Sequence, residues 1–135
     1  MKSEPALPMT TPFTPRGPCI LVFEDELLIR LALSDGLREA GFRVIEACSA
    51  DEALEALETV APDLMISDVR MPGSIDGLGL LAVARRKFPA LPVIIVSGHL
   101  QPSLALADGA THFIAKPYAM ESILRAIDIE LGKSE

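Results

Sequence analysis

The stretch CILVFEDELLIRLALSDGLREA, residues 19–40, decides the fold. It opens with five apolar residues in a row, Cys19 to Phe23, the mark of a short strand buried on both sides as in a parallel sheet. Three acidic residues follow. The period then changes: Ile29, Leu33, Leu37 and Ala40 recur at helical spacing, and Gly41 supplies a stop because it enters the left-handed region without penalty.

The same strand-then-helix unit recurs along the chain. RVIEA (43–47) reads as a second strand, and Ser49 with Glu52 forms a capping box for a helix over 50–60. DLMIS (63–67) is a third strand ending at Asp68, followed by a helix from Gly77 to Phe88 that stops before Pro89. PVIIV (92–96) is a fourth strand, a short helix near 102–108 ends at Gly109, and THFIA (111–115) is a fifth strand. A last helix over 119–131 buries Ile123, Ala126, Ile127 and Leu131. Five alternations predict an α/β domain, a doubly wound five-stranded parallel sheet in the flavodoxin-like order 2-1-3-4-5, with helices on both faces. Residues 1–17, MKSEPALPMTTPFTPRG, are proline-rich without a period and read as a flexible tail; the domain covers 18–132, and 133–135 form a short C-terminal tail.

Composition narrows the function. A chain of 135 residues makes one domain, and half of its residues are hydrophobic, which supports a core without staples. Aromatics make up 4% with no Trp, which argues against stacking platforms for single strands, and the net charge of −7 repels phosphate backbones, so nucleic acid is not an expected partner. No signal peptide and no run long enough to span a membrane is visible, so a cytoplasmic protein is expected. Cys19 and Cys48 lie in or beside strand-like runs and read as small buried hydrophobes rather than a disulfide. Gly77-Leu78-Gly79-Leu80-Leu81-Ala82 matches a dinucleotide fingerprint only weakly, because it falls inside a helix, and no P-loop exists.

In an open parallel sheet, ligands sit beyond the carboxyl ends of the strands. Glu24, Asp25 and Glu26 follow the first strand, Asp68 ends the third, Ser97 and Gly98 follow the fourth, and Lys116 and Pro117 follow the fifth; the second offers nothing comparable. Carboxylates brought this close repel, and a divalent cation removes the repulsion; all-oxygen ligands suit Mg²⁺. Lys116 adds a fixed positive charge and Ser97 a hydroxyl donor. Together these groups match the oxygens of a phosphoryl group in transfer, with the central Asp68 as nucleophile. Taken singly, each has a plainer reading: a strand-end Asp as a turn residue, the acidic run as helix N-terminal charge, Lys-Pro as a loop dipeptide. Four at successive strand ends outweigh those readings.

The segments ILVFEDE, DLMISDVRMPG, the pair Asp76-Gly77, VIIVSGH and GATHFIAKPY together resemble a response-regulator receiver domain across residues 18–132. The resemblance implies that Glu24, Asp25 and Asp68 hold Mg²⁺, with the backbone carbonyl of Arg70 as a further ligand. It implies that Asp68 receives phosphate from a histidine kinase or histidine phosphotransfer protein, that Ser97 and Lys116 contact the phosphoryl oxygens, and that Ser97 and Phe113 form the switch. It implies a cis Lys116-Pro117 peptide and no turnover of a separate substrate, so the protein promotes its own phosphorylation and dephosphorylation without being an enzyme in the usual sense.

Two departures from the family pattern stand out. The loop from Asp68 to Asp76-Gly77 is about one residue longer, with Ser74-Ile75 as the extra length, and the stretch from Ser97 to Gly109, which contains Pro102, is about three residues shorter. The usual dimer and output surface is therefore not carried over. Leu27, Leu28 and Leu31 widen the apolar face of the first helix, either to pack on the last helix or to dock the helices of a phosphodonor. The expected protein is a stand-alone receiver acting through an unknown downstream protein; the alternatives are a phosphorylation-independent pseudo-receiver binding module, a fragment of a hybrid kinase, or a phosphate sink.

Overall fold

The computed structural model describes residues 17–69, 75–98, 103, 106 and 109–132, with the backbone alone for 75–78. The strands are β1 (Cys19–Phe23), β2 (Arg43–Ala47), β3 (Leu64–Asp68), β4 (Val93–Ser97) and β5 (His112–Ala115). The helices are α1 (Leu27–Glu39), α2 (Ala50–Thr59), α3 (Ile75–Lys87) and α4 (Met120–Gly132). All strand pairs are parallel and the order is β2-β1-β3-β4-β5, as the alternation predicts.

Strand periodicity of two splits the core. Leu21, Phe23, Met65 and Ile95 point to one face and pack on Ala53 and Leu57 of α2 and Leu80, Leu81 and Ala84 of α3. Ile20, Val22, Leu64, Ile66, Ile94 and Val96 point to the other face and pack on Leu33 and Leu37 of α1 and Ile123, Ala126 and Ile127 of α4. Each fully buried Leu or Ile contributes about 1.5–3 kcal/mol. The three central strands are buried end to end, which is why they read as unbroken apolar runs, whereas β2 and β5 form the edges and are half-exposed.

Local signals act where expected. Gly41 has φ +100°; its N–H bonds the Arg38 carbonyl and that of Phe42 bonds the Leu37 carbonyl, a Schellman ending for α1. Ser49 Oγ accepts from the Glu52 N–H at 3.2 Å, and the Glu52 carboxylate accepts from the Cys48 N–H at 2.9 Å, one residue ahead of the N-cap.

Several expectations need correction. Cys19 is buried but Cys48 is exposed, because it lies past the end of an edge strand. Ser97 belongs to β4 rather than to the loop after it, since its register partner is Ala115. α3 starts at Ile75, two residues early, so Ile75 is helix and not loop. Leu131 is only half-buried and Ala40 is exposed at the helix end. Leu27, Leu28 and Leu31 are all exposed, Leu28 by 77%. Between β4 and β5, Ser103 and Leu106 are helical. The two tails as far as residue 16 and from 133, the loop-length departures, and Arg70 lie outside the described residues.

Candidate functional site

The carboxyl ends of β1, β3, β4 and β5 lie side by side, so Glu24, Asp68, Ser97 and Lys116 meet at one end of the sheet. Three of these polar residues are buried: Glu24 is 3% exposed, Asp68 7% and Ser97 1%. Backbone pairing sets them there. The Glu24 N–H bonds the Ala47 carbonyl at 3.1 Å, the Val69 N–H bonds the Val96 carbonyl at 3.0 Å, and the Lys116 N–H bonds the Ser97 carbonyl at 2.9 Å.

Oxygens of Glu24, Asp25 and Asp68 can all lie within 4.8 Å of one another. The one cation among the four strand-end residues is Lys116, whose Nζ stands 2.7 Å from Asp68 Oδ1 and 3.6 Å from Glu24 Oε1. The ammonium and Asp68 Oδ1 thus form a close, largely buried ion pair. The Lys116-Pro117 peptide is cis.

The electrostatics follow from this crowding. Burial pushes the Glu24 carboxyl above the usual glutamate range, and the nearby Asp68 carboxylate adds to it, against the Glu26 N–H that bonds Glu24 Oε2. Burial alone would lower Lys116, but Asp68 and Glu24 more than offset it and hold the ammonium above its ordinary value. Tyr118 is pushed up, chiefly by burial. A cluster of hard oxygen donors from three carboxylates, two of them buried, fits a small divalent cation, and Glu24, Asp25 and Asp68 are the side chains that would hold it.

Phe113 sits on β5 with its register partner Ile95, half-buried against the core shared with α2 and α3. His112 is half-buried, with Nδ1 3.4 Å from Glu130 Oε2. A cleft of about 870 Å³ runs from Lys116, Gly98 and Tyr118 along α1 past Leu28 and Ile29.

Sequence reasoning missed Arg30 and Glu46. Arg30 donates from Nη1 to the Glu24 carbonyl at 2.8 Å and from Nε to Glu46 Oε1 at 3.2 Å. A trace of them was present: a guanidinium inside a leucine-rich helix and a carboxylate inside a strand, each a charge where apolar residues are the rule.

The response regulator receiver domain family matches residues 20–128. The C4-dicarboxylate transport transcriptional regulatory protein DctD of Rhizobium meliloti is 38% identical over 113 residues, 82% of this chain and 24% of DctD. The DNA-binding transcriptional regulator NtrC of Klebsiella pneumoniae is 36% identical over 110 residues, 79% of this chain and 23% of NtrC. The chain thus spans about a quarter of the length of these curated relatives. Among solved structures, the receiver domain of the Francisella response regulator 1452 aligns with a TM-score of 0.80 at 25% identity, covering 88% of this chain and all of that one. The receiver domain of NtrX from Brucella abortus aligns at 0.77 with 35% identity, covering 84% and 98%. Among the described residues, no helix is long and apolar enough to cross a membrane.

Proposed function

Since this chain belongs to the response regulator receiver domain family, we propose that Asp68 accepts a phosphoryl group from a phosphohistidine on a histidine kinase or histidine phosphotransfer protein. An Asp68 carboxylate oxygen attacks phosphorus, the bond from phosphorus to the imidazole nitrogen breaks, and the nitrogen keeps the electron pair, leaving an aspartyl phosphate. The observation that carries this reading is a buried Asp68 paired with Lys116 at 2.7 Å inside a cluster of three carboxylates.

Mg²⁺, bound by Glu24, Asp25 and Asp68, would supply neutralisation of the negative charge at the site. The Arg70 carbonyl is carried into this ligand set by the resemblance alone. Lys116 holds Asp68 in place and presents its ammonium to the phosphoryl oxygens, and the Ser97 hydroxyl donates to another of them. Burial of Asp68 and Ser97 limits the access of water to the acyl phosphate. Phosphorylation moves Ser97 toward the new oxygens and lets Phe113 turn inward, which changes a protein-binding surface. The chain promotes its own phosphorylation and dephosphorylation and turns over no separate substrate.

The exposed row Leu27, Leu28 and Leu31, beside the cleft that ends at Lys116, offers an apolar surface for the phosphodonor's helices. Leu28→Asp should slow transfer from a cognate protein donor about ten-fold while leaving phosphorylation by a small donor unchanged; equal rates from the protein donor would remove the docking role.

The primary test is intact mass after treatment with a small phosphodonor and Mg²⁺. A single phosphoryl adduct that needs Mg²⁺ and is absent from Asp68→Ala is expected. No adduct on folded protein, with a donor active on another receiver, would leave a phosphorylation-independent binding module.

A further inference from the structure

We infer that Arg30 and Glu46 are positioning residues for the cation site, a brace by which the edge strand β2 sets the geometry of the acidic turn. The inference rests on Glu24 and Asp25 being cation ligands. The Glu24 carbonyl that accepts from Arg30 Nη1 belongs to the peptide unit joining Glu24 to Asp25, so the guanidinium holds the plane whose two ends carry two of the three carboxylates. The same guanidinium is held at Nε by Glu46 in the middle of the β2–β1 ladder, where Glu46 pairs with Val22. Both side chains are largely covered, at 15% and 23% exposure, so this pair is less open to water than a surface salt bridge. β2 also supplies the Ala47 carbonyl that accepts from the Glu24 N–H, and Glu26 N–H anchors the Glu24 carboxylate.

The backbone on either side of Glu24 is therefore tied to β2 before any cation arrives. Lys116 pairs with Asp68 and Glu24, while the brace fixes the backbone that carries Glu24 and Asp25. A planar fork reaching two acceptors at once is a task for arginine; a lysine ammonium can serve only as a point charge. Glu46 also pairs with Arg38 at 3.2 Å, but Arg38 makes no contact with the acidic turn and instead donates to the Val44 carbonyl. Arg38 therefore provides a control that removes the same charge from the same glutamate without touching the Glu24 peptide.

The test is Mg²⁺ binding by titration calorimetry on the full chain, with unfolding in chelator measured alongside. Arg30→Met should raise the Mg²⁺ dissociation constant about ten-fold, the lower end for loss of an outer partner of a metal site. Arg30→Lys should recover part of this. Glu46→Gln should weaken binding by a smaller factor, and the double variant Arg30→Met with Glu46→Gln should bind no more weakly than Arg30→Met alone, because the glutamate acts through the arginine. Arg38→Gln should stay within two-fold of wild type. Affinity within two-fold of wild type in folded Arg30→Met would overturn the brace. So would additive losses in the double variant, or an equal loss in Arg38→Gln. If Arg30→Met does not fold, an unchanged affinity in Glu46→Gln overturns the brace by itself. Wild-type protein that binds no Mg²⁺ while Asp68 is still phosphorylated would remove the brace and the cation site together but leave the phosphoacceptor reading standing.

Discussion

The two ends of the sheet use charge in opposite ways. At the amino ends of the strands, several polar side chains meet backbone partners, although Arg85 Nε is buried without a hydrogen bond. Asp63 accepts from the Cys19 N–H at 2.8 Å, Thr111 Oγ1 accepts from the Val93 N–H at 2.9 Å, and Arg85 donates to the carbonyls of Phe88, Pro89 and Leu91. Arg85 is so closely packed that a Cβ on Gly109, which has φ +112°, would meet its Cγ. At the carboxyl ends, Glu24 and Asp68 share Lys116, and Asp25 brings a third carboxylate beside them. One end is built for stability. The other holds repulsion that a bound cation or phosphoryl group would relieve, which is how functional sites commonly depart from local optimisation.

The contrast is broken most directly by mutating both ends. Asp68→Asn should lose phosphorylation altogether yet unfold at the same or a higher denaturant concentration than wild type in chelator, because it removes one of three like charges. Arg85→Ala should cost about 3 kcal/mol in the same unfolding experiment, through lost charge-assisted bonds to the Pro89 and Leu91 carbonyls, while the small-donor reaction persists under folding conditions. A large stability loss in Asp68→Asn, or none in Arg85→Ala, would erase the distinction.

Mg²⁺ sharpens the comparison at slightly smaller scale. At a hundred times its dissociation constant it should stabilise wild type by about 2.7 kcal/mol, and Glu24→Gln should gain much less, as read by thermal unfolding with and without chelator. Gain of the same size in both would separate Glu24 from the cation.

The smallest expected effect is in pH. Glu24 is raised by burial, so the folded state holds its proton more tightly than the unfolded chain does. Between the ordinary glutamate value and the raised one, the folded state binds more protons, so stability falls as pH rises through that window. The penalty is absent below the unfolded value and complete above the folded one. In chelator, Glu24→Gln should flatten this part of the profile relative to wild type; a profile unchanged by the substitution would mean that Glu24 ionises as it does in water.

Legibility follows from the range of each interaction. The five strands were readable because their residues face two packed layers, and Gly41 and the Ser49-Glu52 pair mark helix ends by contacts at most six residues apart. The site was readable for a topological reason: once strand order is set, the residues at the carboxyl ends of β1, β3, β4 and β5 have few places to go, which brings Glu24, Asp68, Ser97 and Lys116 together. Cys48 was misjudged because closeness to a strand does not say whether that strand is an edge. The leucines at 27, 28 and 31 have the composition of a core, yet the fold leaves them exposed.

By itself, then, the sequence determined what periodicity and short-range chemistry can carry: the alternation of elements, their order in the sheet, and the acidic, hydroxyl and ammonium groups at the strand ends. The tertiary structure decided what depends on partners far apart in the chain. Arg30 and Glu46 are 16 residues apart and meet because β2 lies beside β1. Such contacts depend on which surfaces face each other after packing, and a one-dimensional period cannot encode that.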